Sequence, residues 1–400
     1  MEIDIWEYLR ASFRKHGALL LIQTLVAVAN TVANVFALIY LIREGYDYIA
    51  CSIFILVCCL VPLVLLTFAS RILVKNFSAS INTGLVCLIA YYMSLIALAD
   101  IDLLGRWPLV LVPPLFFGTY IVTFWIPYNV LIMHITSAKK RGATIGLYFL
   151  IWPMITTVGP LIGGFIITLY SYDVMFLVAV AVLLVNLFYM SGLRILGKLR
   201  ERIIIPELLQ SITQSLVERR RTDLDFSGVN KGLMYGLFVE GIIDGVFWIA
   251  IPIISFQFAT SEERLSQYLS LFALWGAVMT VALGYLSDKI RNRTMFLRAG
   301  MALTGVSMVI AAIAPTLDGY LSGMSLTYFF MAIIPAFLFT MLLEKLERYK
   351  KRIVILREFL LNVGRCVGVV FTIAILLLQY DLMVSVIVTG LITVTAVIVK

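Results

Sequence analysis

Long apolar segments follow one another along almost the whole chain, and their length limits the folds that it can adopt. An α-helix needs about 20 apolar residues to cross the roughly 30 Å hydrocarbon core of a bilayer. Twelve such segments can be placed, at residues 18–42, 49–69, 80–99, 109–132, 143–169, 173–192, 231–258, 265–287, 294–314, 320–343, 356–378 and 381–399. Only 14% of the residues are charged, against about 25% in soluble domains. The chain is therefore predicted to be an all-α integral membrane protein with twelve transmembrane helices.

The basic residues between these segments lie mostly on one side of the predicted membrane. That side carries Arg10, Arg14, Lys15, Arg71, Lys75, Lys139, Lys140, Arg141 and the cluster from Lys345 to Arg357. The opposite side carries Arg43, Arg106 and Arg264. Because Lys and Arg are retained on the cytoplasmic side of short loops, both termini are predicted to be cytoplasmic. The same asymmetry accounts for the net charge of +8 without a nucleic-acid partner.

The longest polar interruption of the chain, residues 193–230, is the predicted domain boundary. It separates an N-terminal six-helix half, residues 1–192, from a C-terminal six-helix half, residues 231–400. Apolar residues recur at helical spacing inside the interruption, as they do in helices that lie flat on a membrane. Residues 193–230 are therefore predicted to be a cytoplasmic linker that contains an amphipathic helix.

The two halves carry similar residues at corresponding positions when one is shifted along the other by roughly 210 residues, as in transporters built from repeats. The matched pairs are Asn30 with Glu240, Asn34 with Asp244, Gly159 with Gly364 and Gly163 with Gly368. These coincidences predict two structurally related six-helix halves.

Two short motifs resemble those of a known family. Gly284, Asp288, Lys289 and Arg293 follow the pattern Gly-x-x-x-Asp-Lys with a basic end, which resembles the short cytoplasmic loop motif of the major facilitator superfamily of secondary transporters. The residues of the second motif lie in the fifth segment and resemble the Gly-Pro-x-x-Gly-Gly signature of exporters in that superfamily; they are Gly146, Gly159, Pro160, Gly163 and Gly164. The chain thus resembles a divergent member, closest in motif to twelve-span drug/proton antiporters. The resemblance implies the fold of the major facilitator superfamily, in which twelve helices form two six-helix pseudo-repeats.

The loop motif is predicted to be part of a cytoplasmic gate. Asp288 could meet the positive N-terminal end of a neighbouring helix, or Arg141, when the cytoplasmic side is closed. The corresponding loop of the first half keeps basic residues at Arg71 and Lys75 but has Ser70 in place of the acid. The gate is therefore predicted to be asymmetric.

Three charged residues stand deep within apolar segments, where a charge normally faces protein or a wet cavity. Glu240 and Asp244 lie one helical turn apart and share a helix face, so the two carboxylates could hold a proton between them. Arg365 forms one polar stripe with Glu358 and Asn362, and its guanidinium needs acceptors that Glu240 or Asp244 can supply. Two interpretations remain open, a proton-coupled switch and a permanent structural ion pair.

Polar and aromatic residues of the first, fourth and seventh segments are candidates for a substrate cavity, because the resemblance implies that these segments and the tenth line one. The amides are Gln23, Asn30 and Asn34, and the aromatic candidates are Tyr120, Phe124, Tyr128 and Trp248. Hydrogen bonds between helices explain the amides equally well, and packing explains the rings. If these rings face a cavity, they favour a bulky substrate that is partly apolar or cationic.

Motifs of the common enzyme classes are absent from the sequence, which contains no H-E-x-x-H, G-x-S-x-G, Walker or dinucleotide-binding pattern. Its two histidines, His16 and His134, are far apart, and its cysteines show no metal-ligand spacing. The chain is therefore predicted to be neither an enzyme nor a metal or cofactor protein.

The sequence predicts a secondary transporter of a small organic solute that works by alternating access. Proton-coupled efflux of an amphipathic compound is the first choice. Nutrient uptake by the same fold, and a lipid flippase or a membrane scaffold that transports nothing, remain alternatives. The predicted setting is the lipid bilayer of a prokaryotic cell membrane, with the chain acting as a monomer.

Overall fold

The computed structural model describes residues 5–73, 77–99, 109–135, 141–192, 230–286, 292–345 and 350–398. Every regular element in these ranges is helical. The helices of the first half are α1 (Ile5–Ala33 and Ala37–Arg43, joined by a 3-10 turn at Asn34–Phe36), α2 (Tyr48–Leu73), α3 (Phe77–Ala99), α4 (Val112–Tyr120 and Ile126–Ile135, joined by a π-helical turn at Ile121–Trp125), α5 (Arg141–Leu169) and α6 (Tyr172–Gly192).

The second half repeats this arrangement. Its helices are α7 (Lys231–Ala259), α8 (Glu262–Leu286), α9 (Arg293–Ile313), α10 (Leu317–Met331 and Ile333–Lys345), α11 (Lys350–Leu377) and α12 (Leu382–Thr395, ending in a 3-10 turn at Ala396–Ile398). Ten helical spans within the described ranges are long and apolar enough to cross a membrane. The prediction of an all-α membrane protein with twelve helices is confirmed. The predicted linker helix falls within residues 193–229, outside the described residues.

Side chains define several helix starts in the second half. Asn230 accepts a hydrogen bond from the Gly232 amide at the start of α7, and Asn292 accepts one from Met295 at the start of α9. Thr316 and Asp381 cap α10 and α12 in the same way. Each cap satisfies one of the backbone N–H groups that a helix leaves without a partner in its first turn.

The repeat that was predicted from paired residues is visible in the helix packing. In the first half, α5 packs against α1, where Gly163 touches the Val32 carbonyl group. In the second half, α11 packs against α7, where Gly368 touches the Ile242 carbonyl group. A Cβ atom at either glycine would collide with the facing backbone, so each contact requires a residue without a side chain. The two halves meet where α5 packs against α8 and α2 packs against α11.

Three helices are interrupted near the centre of the molecule. The 3-10 turn of α1 begins at Asn34, the π-helical turn of α4 ends at Trp125, and α10 breaks at Ala332. The indole Nε1 of Trp125 donates a 2.9 Å hydrogen bond to the Tyr120 hydroxyl, which links the two ends of the π-helical turn. Such turns are frequent at functional sites.

Candidate functional site

A cavity of about 680 Å³ lies between the two halves, a volume typical of small-molecule sites. We call the end of the bundle where α1 begins and α12 ends the terminal end, and the end where Arg43 and Glu262 lie the far end. Lining residues reach toward the terminal end at Gln23 of α1, Asn129 of α4 and Arg357 of α11. The cavity therefore extends from the centre of the bundle toward the terminal end.

Polar contacts between the halves close the far end. Arg43 Nε, at the end of α1, donates a 2.8 Å hydrogen bond to Glu262 Oε1, at the start of α8. The Tyr172 hydroxyl of α6 donates to the same oxygen over 3.0 Å. Gln257 of α7 donates to the Tyr48 hydroxyl of α2 over 3.2 Å. All three hydrogen bonds join one half to the other, so an opening of this end must break them.

Arg365 pairs with Asp244 inside the cavity. Its Nη2 and Nε atoms lie 2.7 Å and 3.1 Å from Asp244 Oδ2, and its Nη1 donates to Asn362 Oδ1 over 3.4 Å. The guanidinium carbon lies 4.7 Å from the centroid of the Trp248 ring, within the range of a cation–π contact. Of the two acids that were proposed as its partners, Arg365 contacts Asp244.

Arg357 pairs with the other acid of α7. Its Nη2 lies 3.4 Å from Glu240 Oε1, and its Nη1 lies 2.8 Å from Oε1 of the adjacent Glu358. The guanidinium carbon lies 5.5 Å from the centroid of the Phe339 ring. The second oxygen of Glu240, Oε2, is buried and has no hydrogen-bond partner among the described residues. Two parallel ion pairs thus connect α7 to α11.

Arg357 is a site residue that the sequence did not reveal. It was grouped with the basic cluster that indicates the cytoplasmic side. However, it lies seven residues into α11, which begins at Lys350, or about 10 Å along the helix axis at 1.5 Å per residue. That depth is the signal that could have separated Arg357 from the interfacial lysines.

The three amides of α1 line the cavity and also bind tyrosines of their own half. Asn34 Oδ1 accepts a 2.7 Å hydrogen bond from the Tyr91 hydroxyl, and Asn30 Nδ2 donates to the Tyr120 hydroxyl over 3.3 Å. Gln23 Oε1 accepts from the Tyr128 hydroxyl over 3.3 Å. Both uses that were considered for these amides, contacts between helices and contacts with a solute, are compatible with this geometry.

The aromatic candidates divide into two groups. Tyr120 and Trp248 line the cavity, whereas Phe124 and Tyr128 are fully buried behind it with their rings stacked 5.5 Å apart. The π-helical turn explains the division, because it adds a residue to the helical turn and shifts the register after Tyr120. Trp125 and Asn129 of α4 therefore line the cavity in their place.

Aromatic side chains of α3 and α5, which were not chosen from the sequence, also line the cavity. Trp152 of α5 packs edge-on against Trp125 with ring centroids 5.6 Å apart. Tyr91 of α3 lies against Phe117 of α4 at a centroid distance of 4.9 Å. Neither residue could be chosen from the sequence, since α3 and α5 are not among the helices that were expected to line the cavity.

The glycines of the fifth-segment motif serve two interfaces. Gly159 and Gly163 face α1 within the first half, where a Cβ atom at Gly159 would collide with Thr31. Gly164 faces α8 of the second half, where a Cβ atom would lie 2.6 Å from Ser266 Cβ. Pro160 lines the cavity. The motif therefore allows α5 to pack closely against α1 of its own half and against α8 of the other half.

The residues of the predicted gate are only partly described. Lys75, Asp288 and Lys289 lie outside the described residues. The helices containing Arg71, Arg141, Gly146 and Gly284 are described, but the surroundings of these four residues are not. Arg293 is the first residue of α9, directly after its Asn292 cap. The gate remains a prediction.

No protein-family model and no curated protein matches the chain. Solved structures do match over nearly their full length. The E. coli fucose:proton symporter FucP shares 12% identity, with 97% of this chain and 98% of that chain covered and a TM-score of 0.62. The human organic anion transporter MFSD10 (TETRAN) shares 13% identity, with 97% and 99% covered and a TM-score of 0.67. Identity this low is evidence of fold alone, and the chain therefore has the fold of major facilitator superfamily transporters.

Proposed function

We propose that the chain is a secondary transporter of a small organic solute, in which the halves 1–192 and 231–400 rock around the central cavity. The observation that carries the proposal is the position of this cavity between the halves, with the far end closed by hydrogen bonds such as Arg43 to Glu262 that join one half to the other. These bonds can break and re-form without unfolding either half. Alternating access to a site between two repeats requires such contacts.

Proton coupling is the second part of the proposal. Glu240 and Asp244 of α7 pair with Arg357 and Arg365 of α11, and Glu358 adds a third carboxylate. A proton on Glu240 would weaken its attraction to Arg357. That proton could bind Oε2, for which the described residues provide no hydrogen-bond partner. Because charge in a cavity of low dielectric constant is costly to leave unbalanced, proton binding and conformation would be linked.

The proposed direction is efflux of an amphipathic compound from a prokaryotic cell by a monomer with cytoplasmic termini. The resemblance of the fifth-segment motif to that of exporters and the aromatic lining of the cavity support this choice. Nutrient uptake is the second candidate, favoured by the fold shared with a fucose:proton symporter. Neither direction involves enzymatic chemistry or a cofactor.

Reconstituted protein can test the transport proposal. A thermal-stability screen against sugars, organic acids and amphipathic dyes would first identify a ligand, since a compound that binds the folded state raises its apparent stability. Vesicles preloaded with that ligand should then accumulate the labelled ligand by counterflow, and a pH gradient should drive net flux. Vesicles without protein are the control. Lipid scrambling without counterflow of any stabilising ligand would contradict the proposal and favour the flippase alternative.

A further inference from the structure

The charged side chains that line the cavity do not balance one another. Among the described residues they are the carboxylates Glu240, Asp244 and Glu358 and the guanidinium groups Arg357 and Arg365. Three negative and two positive groups leave an excess of one negative charge when all are ionised. All five side chains belong to α7 and α11. A charge in a protein interior attracts a counter-charge more strongly than it does in water, so the cavity favours a positively charged guest.

Asp244 is the most accessible of these five groups. Its side chain is 30% exposed, compared with 12% for Arg365 and 10% for Glu240. Both hydrogen bonds from Arg365 go to Oδ2, and no other donor among the described residues contacts the carboxylate. Oδ1 therefore remains available to a donor or a cationic group from a solute.

The two guanidinium groups, in contrast, are already covered. Arg365 lies between Asp244 and the Trp248 ring, and Arg357 lies between two carboxylates and the Phe339 ring. An anion would have to displace these partners and would add negative charge next to three carboxylates. The cavity therefore disfavours an anionic guest.

Aromatic rings also line the cavity into which Asp244 faces. Trp248 lies in the next turn of α7, and the pair formed by Trp125 and Trp152 lies on the wall contributed by the first half. Tyr328 of α10 also lines the cavity. Such rings attract organic cations through cation–π contacts and bury apolar substituents.

We infer that the substrate of this cavity is an amphipathic organic cation with a single positive charge, whose charged group binds Asp244 and whose apolar body packs against the tryptophan wall. The inference rests on the proposed transport function, but the binding itself can be measured without flux. Neither the charge count nor the accessibility of Asp244 is visible in the sequence, because both depend on the packing of α7 against α11.

Two ions of the same shape and opposite charge test the inference. Tetraphenylphosphonium and tetraphenylborate both carry four phenyl groups, and their equilibrium binding to the purified protein in detergent can be compared with that of empty micelles. Tetraphenylphosphonium should bind at least about tenfold more tightly. D244N should weaken its binding by about ten- to a hundredfold, because the cation loses its attraction to a carboxylate in a partly buried site. E263Q is the matched control, because Glu263 is an exposed acid at the far end, and it should bind the cation as the wild type does.

A double variant controls for loss of binding through misfolding, because D244N alone leaves Arg365 without its partner carboxylate. D244N/R365Q removes both charges of the pair and keeps an excess of one negative charge, so it separates binding by Asp244 from binding by net charge. It should lose affinity as D244N does. Wild-type affinity in the double variant, or equal binding of the two ions by the wild type, would overturn the inference.

The outcomes also separate this inference from the transport proposal. Selective binding of tetraphenylphosphonium without counterflow would refute transport and leave the cation site in place. Counterflow of a neutral or anionic solute, with no tetraphenylphosphonium binding, would refute the cation site and leave transport in place.

Discussion

Glu240 and Asp244 occupy equivalent positions one turn apart on α7, yet their surroundings differ. Asp244 faces the cavity with an accessible oxygen, whereas Glu240 is buried against Arg357. Removing one partner of a buried ion pair costs about 3–5 kcal/mol because the remaining charge is left uncompensated. The difference in exposure therefore predicts different consequences for the two neutral substitutions.

E240Q should abolish transport driven by a pH gradient while counterflow persists, because the amide occupies the space of the carboxyl group but cannot bind the proton. Both rates can be measured in the same proteoliposomes with the ligand identified by the stability screen. D244N should reduce both rates, since the cavity loses the group that is proposed to bind the solute. Gradient-driven flux at the wild-type rate in E240Q would remove Glu240 from the coupling mechanism.

The pairing of Arg365 with Asp244 can be measured as a coupling free energy. R365Q and D244N should each lower the thermal stability of the purified protein, and the double variant should recover part of the loss. A coupling energy on the order of 0.5–3 kcal/mol is typical of residues in direct contact. R365K should not restore wild-type stability, because lysine lacks the planar group that bonds Asp244 and lies over Trp248. Strictly additive losses would show that the two side chains do not stabilise each other.

At the scale of elements, α5 packs against α1 through Gly163 and against α8 through Gly164. G163V places a side chain against the Val32 carbonyl group inside the first half and should lower thermal stability. G164V places one against Ser266 and the Glu262 carbonyl group across the interface, and should separate α5 from α8 at the far end. I162V is the control on the same helix, at an exposed position.

Thermal denaturation and far-end accessibility distinguish the two glycine variants. We expect G163V to lower the melting midpoint more than G164V does. We expect G164V to raise the population with an open far end more than G163V does. The same loss of stability in both, with no change of conformation, would mean that Gly164 serves packing alone.

At the scale of the whole molecule, the contact between Arg43 and Glu262 joins the two halves at the far end. Arg43 also lies over Phe256, with its guanidinium carbon 4.9 Å from the ring centroid. Because the Arg43 side chain is 48% exposed, its ion pair is worth at most about 1 kcal/mol. E262Q should therefore raise the population with an open far end by a factor of up to about five.

Distances between spin labels at Tyr170 and Arg264, exposed positions on opposite halves at the far end, can measure this population. The labels require a background in which the five free cysteines are replaced. E262Q should lengthen the distance distribution, and E263Q should leave it unchanged. Identical distributions in both variants would show that the ion pair does not hold the halves together.

The sequence by itself determined the class of fold and the elements that carry charge. Apolar segments long enough to cross a bilayer can satisfy their backbone hydrogen bonds as helices, which indicated twelve of them. Against this apolar background, Glu240, Asp244 and Arg365 stood out, because a charge in hydrocarbon requires a partner. Spacing also placed Gln23, Asn30 and Asn34 on one face of α1.

Tertiary structure alone decided which side chains meet. Arg43 and Glu262 are 219 residues apart in sequence, and the sequence had indicated only the side of the membrane on which Arg43 lies. Tyr120, Phe124 and Tyr128 were chosen together as aromatic residues of the fourth segment, but the π-helical turn shifts the register and brings Trp125 to the cavity in place of Phe124 and Tyr128. Arg357 became a site residue only when α11 packed against α7. An apolar helix shows little contrast between its faces, so its sequence indicates that it will be buried but not which neighbour it will contact.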